Sequence, residues 1–163
     1  MEGLCAPQDG RVYRISVPVN ESRSWHDMVT AAAPRTPANC TIFKVGNQYH
    51  STQESRTDDI ALVNFGSDVS GMEALEWAAT HSLQPTTPWQ CFAVAEHNPK
   101  LYEALLVPSL AVVSLDPCSY NGQQMICRVW IERIGAESHI GSLYVQFIPI
   151  HWFAFIHKPK PVA

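Results

Sequence analysis

Cysteine and histidine are the side chains here best suited to nucleophilic, acid–base or metal chemistry, five of the first and seven of the second among 163 residues. The cysteines, Cys5, Cys40, Cys91, Cys118 and Cys127, are odd in number. None stands in the close C-x-x-C spacing that zinc ribbons and dithiol redox centres require. A catalytic thiol needs an imidazole near enough to take its proton, and Cys91 with His97 is the closest such pair in sequence. His50, Cys91 and His97, with Tyr102 as a further group, are therefore the candidate catalytic residues of a small transferase or hydrolase. His151 and His157 fall on one face of a single strand but about 20 Å apart, too far to share an ion. The Asp58-Asp59 pair reads as an exposed acidic turn, because a hard cation draws its ligands from wider spacings. No metal site is expected. Cys118 and Cys127 flank a hairpin with their α carbons about 7 to 8 Å apart, beyond comfortable disulfide reach. Cys91 and Cys127 read as small core hydrophobes.

The familiar catalytic and nucleotide-binding signatures are missing. The chain has no GxxxxGK[ST] phosphate cradle, no GxGxxG after a strand, no GxSxG elbow and no HExxH zinc helix. The triplet His50-Ser51-Thr52, after Tyr49, resembles the H-x-T of some ADP-ribosyltransferases, in which it helps to hold NAD. That resemblance covers three residues and has no matching glutamate downstream, so no cofactor is expected.

Composition narrows the class further. An apolar share of 46% with 16% charged residues is far from the disordered regime, and the length suits one domain with its own core. The formal charge is -4, and no stretch gathers lysines and arginines into a stripe, which argues against nucleic acid as a partner. Lys158 and Lys160 read as a solvated tail. The amino terminus carries Glu2 where a secretory leader has a basic region, and no apolar run follows. A cytoplasmic, reduced setting is expected, in which the two N-x-[ST] matches at Asn20 and Asn39 go unused. The apolar stretch Ile148–Ile156 is far short of the roughly 20 residues a membrane helix needs, so no membrane association is expected.

Elements that could position these residues follow from periodicity. Arg11 to Val19 alternates as an edge strand. Trp25, Met28, Val29 and Ala32 fall on one helical face, with Ser24 as cap and Pro34 as stop. Thr41–Val45 reads as strand, Tyr49–Asp59 as exposed polar chain and Ile60–Phe65 as a buried strand. Ser70-Gly71-Met72-Glu73 is a capping box, with Val69 and Ala74 as a weak staple, opening a helix to about His81. Cys91–Ala95 reads as a buried strand, Asn98-Pro99 as the start of a helix to Leu106, and Leu110–Leu115 as another strand. Strand and helix alternating through this middle third imply parallel pairing.

Asn121-Gly122 is a strong hairpin signal and opens a strand to about Ile134. There Met125, Cys127, Val129 and Ile131 share one face, and Arg128, Trp130 and Glu132 the other. A next strand with Leu143, Val145 and Phe147 on one face, joined by a turn at Ala136-Glu137-Ser138, would pair Val129 with Val145 and Ile131 with Leu143. Ile150–Ile156 is apolar on both faces, hence buried on two sides or an interface. The expected fold is α+β: one domain over residues 1–163, a mixed sheet with two or three helices and a C-terminal antiparallel meander.

On that register Arg128, Trp130 and Glu132 align with Ser142, Tyr144 and Gln146 in a face whose composition resembles an interface centre. Together with Trp152 on the last strand, it is the expected binding surface. The sequence thus points first to a non-enzymatic regulatory module that binds a protein partner or forms a homodimer. A small His/Cys enzyme, or a structural protein with Trp152–Ile156 uncovered, are the rival readings.

Overall fold

A computed structural model describes residues 3–162; Met1 and Glu2, at the leader position considered above, lie outside the described residues. Strand β1 (Arg11–Asn20) leads to helix α1 (Trp25–Ala32), whose first turn is closed by the Asp27 amide donating to Ser24 Oγ at 3.1 Å. Two short 3-10 turns precede β2 (Ser55–Asn64), β3 (Val69–Ser70), α2 (Gly71–Thr80) and β4 (Leu83–Pro85). Helices α3 (Pro88–His97) and α4 (Leu101–Ala104) follow, then β5 (Ser109–Tyr120), β6 (Gln123–Glu132), β7 (Gly135–Ser142), β8 (Gln146–Phe147) and β9 (His151–His157).

One mixed seven-stranded sheet has the order β1-β2-β9-β5-β6-β7, with β4 added beside β9, while β3 and β8 form a separate ribbon. The fold is the α+β class expected, and β5-β6-β7 is the expected antiparallel meander, turned at Asn121 and Gly122 with φ of 51° and 74°. The last strand leaves that meander. β9 threads between β2, antiparallel, and β5, parallel, so that Trp152 and Ala154 enter the core under α1 and α3 while Phe153 and Phe155 enter the one under α2. Its two-sided apolarity is thus satisfied inside the chain. Trp152–Phe155 are 0–2% exposed, which overturns the structural-protein reading and removes Trp152 from any contact surface.

Other expectations are corrected. Cys91–Ala95 is helix: Thr87 Oγ1 accepts from the Gln90 amide at 3.4 Å, the Gln90 side chain returns the bond to the Thr87 amide at 2.9 Å, and Pro88 occupies the first turn. Residues 88–95 are all buried, so no polar face betrayed the helical period. With that strand gone, β5–β9 is the sheet's parallel pair and the expected alternation dissolves. Thr41–Lys44 is a 3-10 turn, and the polar segment before Ile60 is half of β2.

A further correction concerns the closing strands. β7 begins after a two-residue turn, so Val129 pairs with Ser138 and Ile131 with Ala136. Val145 lies in the following turn, 44% exposed. The α2 box forms its Ser70 half, with the Glu73 amide at 3.1 Å from Ser70 Oγ, and Val69 pairs with Phe147 rather than stapling the helix. Asn98 closes α3 instead of opening α4.

Because α3 carries the sheet-facing wall of the larger core, its cap matters. Thr87→Ala should lower unfolding free energy in urea by about 1 kcal/mol, and an unchanged midpoint would show that burial alone holds the helix.

Candidate active site at the sheet edge

β7 is the outer strand, and alternate residues of an edge present unpaired N–H and C=O groups. Here three of them, on Ala136 and Ser138, are taken by the loop that follows α1. The Arg35 amide donates to Ala136 O at 3.0 Å, the Ser138 amide donates to Thr36 Oγ1 at 2.9 Å, and the Cys40 thiol donates to Ser138 O at 3.5 Å. The loop is itself pinned by Thr36 N–H to Ala33 O at 3.0 Å and Cys40 N–H to Pro37 O at 2.9 Å. Ser138 is fully buried, and its hydroxyl donates to Arg128 O at 2.9 Å. Capping the edge therefore sets the Cys40 thiol against β7 at one fixed height.

At that height stands His139. Its Nδ1 is 3.9 Å from Cys40 Sγ, and its Nε2 is 3.4 Å from Glu137 Oε1. Glu137 and His139, two apart on a strand, share a face, while buried Ser138 between them points into the core. A carboxylate beside Nε2 favours the tautomer protonated there and leaves the Nδ1 lone pair facing the thiol. Both separations are long for hydrogen bonds, as is common in catalytic sites without substrate. The side chains of His139 and Glu137 are 38% and 30% exposed, so a ligand can reach them. A thiol, a base and a group orienting the base are the parts of an activated nucleophile.

The same face continues inward as two rows of cross-strand neighbours: His151, Ala111, Trp130 and Glu137 in one, Phe153, Val113, Arg128 and His139 in the next. Small Ala111 lets the His151 and Trp130 rings meet edge to face at 5.6 Å, and the Arg128 guanidinium lies 5.8 Å from the Trp130 ring. His151 is 7% exposed and donates from Nδ1 to Ile148 O at 3.0 Å. Burial, with the charge of Arg128 adding to it, pushes the His151 pKa down, and burial pulls that of Arg128 down as well. Glu132 pairs with Arg35 at 3.5 Å.

Of the residues singled out in the sequence, Arg128, Trp130 and Glu132 do share this face. Tyr144 lies in the turn after β7 and Gln146 pairs with Ser70, so neither aligns with them as expected. Cys91 does not meet His97. It is fully buried on α3 with its thiol donating to Val112 O at 3.5 Å, and burial pushes its pKa up to about 12. His97 sits exposed at the end of that helix, 3.9 Å from Glu96, itself ion-paired with Arg23. His50 is exposed after the second 3-10 turn rather than at a strand end. The two hydroxyls of its triplet hold Glu21: Ser51 Oγ donates to the backbone O at 2.5 Å, and Thr52 Oγ1 to the carboxylate at 2.9 Å. Cys127 donates to Tyr49 Oη at 3.6 Å, its thiol pushed up by burial, and all described cysteines are free.

Sequence reasoning missed Cys40, His139 and Glu137. Cys40 and His139 are 99 residues apart, and the one local signal, Glu137 and His139 alternating about an inward serine, was hidden by reading Ala136–Ser138 as a turn. Compared with protein-family models, curated proteins and solved structures, the chain shows no match. Among the described residues no helix is long and apolar enough to cross a membrane, and no group of three metal-ligating side chains occurs.

The cysteines should separate on brief iodoacetamide treatment at about pH 8. Cys91, with a thiolate fraction of about 10⁻⁴, and Cys127 should stay unmodified by peptide mass spectrometry until denaturant is added, while Cys5 and Cys40 react. Alkylation of Cys91 at the rate of Cys5 would contradict this burial.

Proposed function

We propose that the chain is a thiol-dependent acyl-transfer enzyme, acting as a hydrolase when water is the acceptor. One observation carries this reading: the unbroken contact from Cys40 Sγ through His139 to Glu137, at 3.9 Å and 3.4 Å. In the reaction His139 Nδ1 takes the thiol proton as Sγ attacks the carbonyl carbon of an ester or amide. A C–S bond forms, the C–O or C–N bond breaks, and the imidazolium gives its proton to the departing alcohol or amine. His139 then deprotonates a water molecule that attacks the thioester; C–O forms, C–S breaks, and the proton returns to the thiol. Glu137 orients the ring and offsets the charge that develops on it.

Hydrolysis of p-nitrophenyl acetate by the purified protein tests this. Cys40→Ser should abolish turnover, His139→Gln should lower kcat by about 10² or more, and Glu137→Gln should lower it less, all with unchanged circular dichroism. Turnover by Cys40→Ser equal to the parent would overturn the assignment.

A second reading, a non-enzymatic module that binds a protein partner or a second copy of itself, is favoured by Tyr144, Val145 and Ile148. They stand 68%, 44% and 53% exposed between β7 and β9, where a folded surface ordinarily scatters such side chains. Light scattering should then report a dimer that Tyr144→Ser with Ile148→Ser converts to monomer. A parent protein monomeric at high micromolar concentration would count against self-association.

A further inference from the structure

A guanidinium taken partly out of water needs acceptors, and in this chain other arginines have them. Arg23 pairs with Glu96, Arg56 with Glu21 and Asp58, and Arg35 with Glu132. Arg128 differs. Among the described residues it forms no ion pair; its Nε, like that of Arg23, is buried without a hydrogen-bond partner, but here no carboxylate takes the rest of the fork, which lies by the Trp130 ring and the bare backbone of Gly141. A buried guanidinium N–H without an acceptor is costly for a fold unless something external completes it.

Gly141 supplies the room. A β carbon there would stand 3.3 Å from Arg128 Cζ and 3.4 and 3.5 Å from its two terminal nitrogens. Its φ is outside the left-handed region, so the backbone does not demand glycine; the missing side chain lets the fork lie close over the β7 backbone. The fork also lies beside the chemistry, since Arg128 is the cross-strand partner of His139, with β carbons about 5 Å apart.

We infer that Arg128, cradled by Trp130 and Gly141, is a subsite for an anionic group, a carboxylate or a phosphate, on the substrate of the Cys40–His139 pair. A planar fork with free donors grips either oxyanion through two parallel bonds. The inference rests on the acyl-transfer reading for its place in a reaction, but anion binding can be measured without turnover.

The test follows the Arg128 Nε–H and Trp130 indole N–H signals by NMR during titration with inorganic phosphate and, separately, acetate at constant ionic strength. Saturable shifts are expected in the parent and in Cys40→Ser. They should be lost in Arg128→Gln and weakened about tenfold or more in Gly141→Ala, a variant that keeps every charge and tests the site should the arginine variant fold poorly. Saturation by one anion alone upholds the subsite and names its source. Linear shifts in the parent, or saturation unchanged in Gly141→Ala, would overturn it. Saturable binding in a protein without esterase activity would uphold the subsite and remove only the acyl-transfer reading; esterase activity without saturable binding would do the reverse.

Discussion

The exposed hydrogen-bonding edge of β7 is the constraint on which the site depends. An outer strand left open is a template for pairing with another chain, and this one is closed by three bonds from a single loop, through Arg35, Thr36 and Cys40. A serine or threonine would close the last of them at least as well, since a thiol is a weak donor. With cysteine in that place, the closure also brings a thiol against His139. Protection of the edge and assembly of the thiol, imidazole and carboxylate are one packing event, and Pro34, which ends α1, starts the loop on its course along the strand.

Behind the edge, β9 joins the two cores. It is the last strand in the chain but sits in the middle of the sheet, with side chains in both cores. Its pairing with β2, about 90 residues earlier, is a long-range contact that favours slow, cooperative folding. Its first residue, His151, reaches over Ala111 to Trp130, which ties the polar row on β6 and β7 to the centre of the molecule.

What the sequence made legible divides along physical lines. Where a segment is half buried, its period survives: β1, α1 and β6 followed from alternation or helical spacing, and Asn121-Gly122 announced its hairpin through the left-handed φ values that these residues accept. Where burial is complete, period vanishes. Cys91–Ala95 carries no polar face, and its helical state was written instead in Thr87-Pro88-Trp89-Gln90, a capping box with proline in the first turn. β7 failed for the opposite reason. Gly135, Ser138 and Gly141 are poor strand formers, so a segment held by pairing with β6 looked like a turn, and the pairing of Val129 slipped from Ser138 to Val145. Half of the aromatic face survived that slip, because Arg128, Trp130 and Glu132 belong to one strand. The thiol site did not, because it needs a loop and an edge strand that meet only in three dimensions.

Cys5 provides an internal standard for the central claim, being an exposed thiol in the same molecule. The decisive quantity is the ratio of Cys40 to Cys5 acylation rates by an activated ester, read by peptide mass spectrometry in the parent and in His139→Ala. Activation by the imidazole predicts a ratio well above one in the parent, an acyl group on Cys40 that water then removes, and a ratio near or below one in the variant. Equal ratios in the two proteins would mean that His139 does nothing for Cys40, and that the contact serves only to close the edge of the sheet.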